Sequence, residues 1–180
     1  GSHGYGSKVL PYEEASRAPL LFYLPGHENS GKALRSEALT GNIDFYPTML
    51  ELAGVEVPEG IDGKSLLPLY ENPTASIHEQ LPLLNVWGPE AAHSFGVVTT
   101  DWKYLLWPFE KGVFERTEEL FFLREDPLEL RNELKNPQHR SQLEQMRQRY
   151  DEEVKKWQER AVPYHNYIPF GAVFEREDRQ

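Results

Sequence analysis

Near the end of the chain, Leu143, Met146, Tyr150, Val154 and Trp157 recur at intervals of 3, 4, 4 and 3 residues. That rhythm places five large apolar side chains on one stripe of an α-helix spanning roughly 138–160, and the positions between them are densely charged. A helix with a single apolar stripe must bury it against one partner layer, while its charged remainder faces water. A partner is legible just upstream. The runs 81–87, 95–100, 102–107 and 119–123 read as short strands, and Thr100-Asp101 between the middle two predicts a hairpin. Residues 79–180 are therefore expected to form a small α+β subdomain, an antiparallel sheet packed on the long helix.

The first part of the chain reads differently. Pro19-Leu-Leu-Phe-Tyr-Leu24 is a continuous apolar run closed by Pro25-Gly26, the signature of a strand buried on both faces. After a polar loop, 42–54 reads as a helix. Asp44 is its expected N-cap, Pro47 lies in the first turn where a missing N–H costs nothing, and Gly54 supplies the stop. Phe45, Met49, Leu50 and Leu52 would be its apolar face. Residues 55–63 are turn-rich, 64–69 form a short helix or turn, and 70–80 are a polar linker. Residues 1–78 are expected to be the end of an α/β domain.

Composition narrows the function classes. A net charge of -10 disfavours a sequence-independent grip on nucleic acid or an anionic membrane, which needs a basic surface. No run approaches the ~20 apolar residues of a membrane-spanning helix. An anionic substrate must then be captured by a local site against the global field. The absence of cysteine excludes disulfides, thiolate metal sites and a Cys nucleophile.

Four stretches carry a recognisable pattern. The opening loop holds His3 and Lys8 five apart among glycines, followed by Tyr12-Glu13 and by Arg17-Ala-Pro19. Then come Asn42-Ile-Asp44-Phe-Tyr-Pro47-Thr48-Met-Leu-Glu-Leu-Ala53-Gly54 and Ile61-Asp62-Gly63-Lys64-Ser65-Leu66-Leu-Pro68-Leu69. Last are Trp102-Lys103-Tyr104, Glu119-Leu-Phe-Phe-Leu123 and Asp126-Pro127-Leu-Glu129-Leu-Arg-Asn132. In order and spacing these resemble the arylsulfatase-like, formylglycine-dependent sulfatases of the alkaline phosphatase superfamily, over roughly residues 1–160. The tail 162–171 is similar, less specifically, to the C-termini of some bacterial sulfatases. Two departures are Glu133, where the family has Leu, and His93-Ser-Phe-Gly96, where many members carry an Arg before the strand.

The resemblance implies the C-terminal portion of a hydrolase of sulfate esters. In the family a formylglycine hydrate attacks sulfur beside a Ca²⁺ ion. Neither the C/S-x-P-x-R motif that yields formylglycine nor the D-H/N-G metal-ligand motif occurs in these 180 residues. The 180 residues are thus expected to be inactive alone, with nucleophile and metal ligands in the rest of the sulfatase chain and no metal site here. The expected partner is a sulfated small molecule or sulfated glycan, with no nucleic acid and no membrane. A periplasmic or secreted location is implied by the family alone. A phosphodiesterase or phosphonate hydrolase of the same superfamily, and a non-catalytic module binding sulfated glycans, are the alternatives.

Cleaving a sulfate ester builds negative charge on the bridging oxygen, and a compact ammonium with three donors suits that oxygen and a sulfuryl oxygen together. The resemblance gives Lys8 this role and His3 that of holding sulfate or protonating the leaving alcohol, chemistry a group titrating near pH ~6.5 can supply. Read without the family, both are solvated loop residues, and Gly-Ser-His is also what a cleaved tag leaves. His93 and His165 are candidates for lining a substrate pocket, since both lie where such enzymes vary with substrate. Tyr12, Glu13 and Arg17 read as structural, and His27, His78 and His139 have no metal-ligand spacing. Trp87, Trp102, Tyr104 and Trp107 read as core of the small sheet and not as a sugar platform.

Overall fold

The computed structural model describes residues 3–4, 10–109, 115–164 and 166–176. In chain order its elements are α1 (Glu13–Ser16), α2 (Phe45–Leu52), α3 (Leu67–Glu71), β1 (Leu81–Asn85), β2 (Ser94–Val98), β3 (Trp102–Trp107), β4 (Thr117–Phe122), α4 (Arg140–Arg160) and α5 (Phe170–Val173), with short 3₁₀ turns between them. They fall into two compact units, one of Gly1–Ala18 with Pro82–Gln180, the other of Pro19–Leu81. The opening segment thus groups with the sheet and the long helix.

In the larger unit the strands form one sheet in the order β1-β2-β3-β4. β2 and β3 pair antiparallel, Gly96 opposite Leu105, and β3 pairs antiparallel with β4, Tyr104 opposite Leu120. The hairpin expected at Thr100-Asp101 is present. Thr99 N donates to Trp102 O at 2.8 Å, and Trp102 N returns to Thr99 Oγ1 at 3.0 Å. Gly96 is required by close strand approach, because a Cβ there would lie 2.4 Å from Leu105 Cδ2 and 2.7 Å from the Tyr104 carbonyl.

Strand alternation splits the core in two. Phe95, Val97, Tyr104, Leu106 and Leu120 face α4, where Leu143, Met146, Tyr150 and Val154 are buried together with Phe174, and Trp157 packs at the edge with Phe170. The helical stripe therefore meets the sheet as its spacing predicts. Leu105, Trp107 and Phe121 look the other way, onto Leu10, Ala92 and the partly buried Tyr12. This sheet is covered on both faces, which explains why every residue of β2 is buried. A 3₁₀ turn, Pro137–His139, leads into the helix and is capped by Asn136, whose Oδ1 accepts from Gln138 N at 3.0 Å.

The smaller unit departs from expectation in three places. Residues 19–24 form no strand, and Leu21 is 97% exposed. A strand buried on both faces needs neighbouring strands to supply hydrogen bonds, and none of the described residues forms a strand ladder with this run. α2 buries Pro47 and Thr48 and not its apolar face, leaving Met49 52% exposed with Phe45 and Leu52 open beside it. Asp44 makes no side-chain cap on α2. Its carboxylate accepts instead from Gly41 N and Lys64 N, both at 2.8 Å, and pairs with His78 Nε2 at 2.8 Å.

Candidate functional site

The opening segment lies against the far face of the sheet. Leu10 is buried there, and Tyr12 donates its hydroxyl to Glu119 Oε2 at 3.0 Å. The same oxygen takes the Trp107 indole N–H at 2.8 Å, so β3 and β4 together fix the Tyr12 ring. His3 stacks on that ring, centroids 3.8 Å apart and planes 4° from parallel, and its Nε2 lies 3.0 Å from the Leu128 carbonyl. A carbonyl can only accept, so Nε2 carries the proton and Nδ1 is left as the acceptor of the neutral ring. Lys8 lies outside the described residues.

One residue further on, the segment is gripped by charge. Lys103, wholly buried on β3, extends its ammonium to Glu13 Oε1 and Glu129 Oε1, each at 2.8 Å. It donates to the Pro11 carbonyl at 2.9 Å, with Ser16 Oγ at 3.3 Å. Glu129 closes the junction by accepting from Glu13 N at 2.5 Å. Burial pushes the Glu129 carboxyl above the usual carboxylate range. Lys103 pulls the other way, and the neighbouring Glu13 charge adds to the rise. Arg17, which the spacing pairs with Glu13, stands 3.9 Å away on the exposed side and is the lesser partner.

The loop after β4 is shaped to deliver Glu129. Asp126 Oδ2 accepts from Arg131 N at 2.7 Å, and Glu129 itself sits at φ 54, a left-handed conformation uncommon outside glycine. Asn132 Oδ1 then takes Leu120 N at 3.1 Å, tying the loop to β4. Glu133, the departure from the family pattern, accepts from Arg131 Nε at 2.5 Å and Asn136 Nδ2 at 2.6 Å. The Asn136 bond, opposed by burial and reinforced by Arg131 and His139, holds its carboxyl below the ordinary range.

In the smaller unit, Asp44 plays the organising part. Thr48 Oγ1 donates to Asp44 O at 2.5 Å and accepts from Leu66 N at 2.9 Å, so α2 and the 61–69 segment are stitched through one hydroxyl. Gly63 is obligatory, since a Cβ would fall 1.9 Å from Ile43 O. The buried His78, read from sequence as a loop residue, completes the cluster on Asp44. Among the described residues no group of three or more His, Cys, Asp or Glu could hold a metal ion.

The remaining candidates divide. His93 is half-buried at the start of β2, its ring edge-on to Phe170 at 5.4 Å. His165 lies outside the described residues. Tyr104 and Trp107 are core and Trp102 stacks on Phe122 at 4.5 Å, as expected, but Trp87 lies beyond β1 and is 70% exposed, because the strand ends before reaching it. Sequence reasoning missed Lys103, Glu119 and Glu129 as one site with Glu13. Their only signal was membership of separate short motifs.

Comparison with known proteins identifies the family. The family described as N-sulphoglucosamine sulphohydrolase, C-terminal, matches residues 1–158. An N-acetylglucosamine-6-O-sulfatase of Bacteroides thetaiotaomicron is 31% identical over 165 residues, covering 88% of this chain and 28% of that protein. An arylsulfatase of Clostridium perfringens is 29% identical over 149 residues, 82% of this chain and 29% of that one. Among solved structures, a protein named BT4656, in complex with its substrate D-glucosamine-2-N,6-O-disulfate, superposes with TM-score 0.61 at 25% identity, covering 72% of this chain and 27% of that one. The chain thus spans under a third of the length of these relatives. With motifs, fold and sequence in agreement, this chain belongs to the sulfatase family, as its C-terminal portion, in the group defined by N-sulphoglucosamine sulphohydrolase.

Proposed function

We propose that the chain is the C-terminal portion of a sulfuric ester hydrolase acting on a sulfated sugar or glycan. The observation that carries this is the family match across residues 1–158, supported by relatives that cut sulfated glucosamine and aryl sulfates. In this reading 1–78 complete the catalytic α/β domain and 79–180 form the C-terminal subdomain. Support for the first part comes from the exposed apolar residues Leu20, Leu21 and Tyr23, which suit a strand awaiting neighbours.

Lys8 would neutralise sulfuryl and leaving oxygens. His3 would act from the same loop, and its geometry constrains how. With Nε2–H donating to Leu128 O, proton donation to a leaving alcohol has to come from Nδ1 of the imidazolium. His93 and His165 would line the substrate side. The described residues do not fit a Ca²⁺ site and no C/S-x-P-x-R motif occurs in the sequence, so other sequence of the same enzyme would hold the ion and carry the formylglycine.

The test is turnover by the full-length protein. Nitrophenyl sulfate and 6-O-sulfated glucosamine should both release sulfate, and Lys8→Ala should lower kcat by about a hundredfold or more, the scale of one lost transition-state donor. Wild-type rates in Lys8→Ala would overturn the assignment of that residue. A full-length protein that cleaves phosphodiesters and no sulfate ester would overturn the sulfatase reading.

A further inference from the structure

Four ionisable or polar groups that no catalytic role uses converge under the opening segment. Lys103 contributes an ammonium with zero exposure, Glu129 a carboxylate with zero side-chain exposure, Glu13 a second carboxylate, and Pro11 its carbonyl. The ammonium lies 2.8 Å from an oxygen of each carboxylate and donates to the Pro11 carbonyl at 2.9 Å. Such a site is a poor way to gain cohesion, because taking three charges from water costs more than apolar packing of the same volume. What it supplies is register. An apolar plug tolerates sliding, whereas a buried ammonium between two carboxylates and a carbonyl favours one placement of Glu13 relative to β3. Glu129 adopts its left-handed backbone at φ 54 to be there, a local cost that the junction must offset.

The junction connects directly to the loop. Tyr12, adjacent to Glu13, is oriented by Glu119 and carries the His3 ring stacked on it. Lys8 precedes Tyr12 by four residues. We infer that Lys103, Glu13 and Glu129 are positioning residues for sulfate ester cleavage: the buried ion triple clamps residues 11–16 to β3, and so sets the placement of Tyr12 and of the His3 ring stacked on it. This inference rests on the sulfatase reading given above. A catalytic group displaced by ~1 Å can lose about a hundredfold in rate, so a clamp of this kind has a kinetic consequence beyond stability.

The experiment uses the full-length protein and three variants. Lys103→Met removes the ammonium; Lys103→Met with Glu13→Gln and Glu129→Gln removes all charge and guards against a variant that cannot fold around two unpaired carboxylates. Glu129→Gln alone is the graded variant, removing one charge of the triple while leaving one ammonium, one carboxylate and an acceptor for Glu13 N. In the first two variants the amides of Ala15, Ser16 and Arg17, which bond to Tyr12 O and Glu13 O, should exchange at least about tenfold faster while β3 amides keep their protection. Their kcat should fall by about tenfold or more with KM within about twofold, the mark of a lost transition-state arrangement and not of lost binding. Glu129→Gln should fall between wild type and Lys103→Met in both readouts. Wild-type protection of 15–17 in a folded triple variant, or unchanged kcat alongside faster exchange, would overturn the inference. A wild-type protein without sulfatase activity would instead strike the reading on which it rests.

Discussion

Glu118 illustrates what single residues decide in this molecule. Its Oε2 accepts from Tyr104 at 2.6 Å and from Arg147 Nε at 2.9 Å, joining β3, β4 and α4 at one oxygen. Burial opposes its ionised form, and the Tyr104 and Arg147 bonds with the charges of Arg147 and Arg176 outweigh it, so its carboxyl lies below the ordinary value of 4.5. A depressed folded value means that the contribution is present above pH 4.5 and is lost as pH falls through the folded value. Glu118→Gln should therefore cost about 1.5–3 kcal/mol at neutral pH, and the deficit should vanish in acid, as measured by urea unfolding across pH. Glu129 has the opposite sign. Its raised carboxyl favours the folded state below 4.5, and that advantage is lost as pH rises through the folded value. Glu129→Gln should accordingly be more stabilising, or less destabilising, at pH 8 than at pH 4.

At the scale of elements, α4 is held by its stripe and the smaller unit by polar stitching. Met146→Ala, at a fully buried position facing the sheet, should cost about 2–5 kcal/mol. Trp157→Ala should cost less than a fully buried tryptophan would, since Trp157 packs only at the margin of the core. Gly63→Ala brings a methyl against the Ile43 carbonyl and should destabilise the smaller unit by about 3 kcal/mol, seen as lost protection of the Leu66 amide. The long helix, the hairpin and the four strands of the sheet were legible because period and turn chemistry are local. The strand expected at 19–24 was not realised, because a continuous apolar run records only that both faces should be covered and cannot say by what.

For the whole molecule, the unusual quantity is apolar surface left open in the smaller unit: Leu20, Leu21, Tyr23, Phe45, Met49, Leu52 and Val55 are all exposed. The isolated 180 residues should associate at high concentration, and Leu21→Lys with Met49→Lys should suppress this in sedimentation without lowering Tm. Those residues alone should also hydrolyse no aryl sulfate above background, and Ca²⁺ should not raise their Tm; a metal-dependent turnover surviving repurification would contradict this. By itself the sequence determined the family, the α+β character of the second half and the segments that matter, because each rests on residues near in the chain. Only the tertiary structure decided that Glu13, Lys103 and Glu129, motif residues up to 116 positions apart, share one buried junction, and that Asp44 serves Lys64 and His78 instead of capping a helix. The reason is physical. A carboxylate in a sequence has several partners open to it, and burial selects among them by removing the water that would otherwise serve equally well.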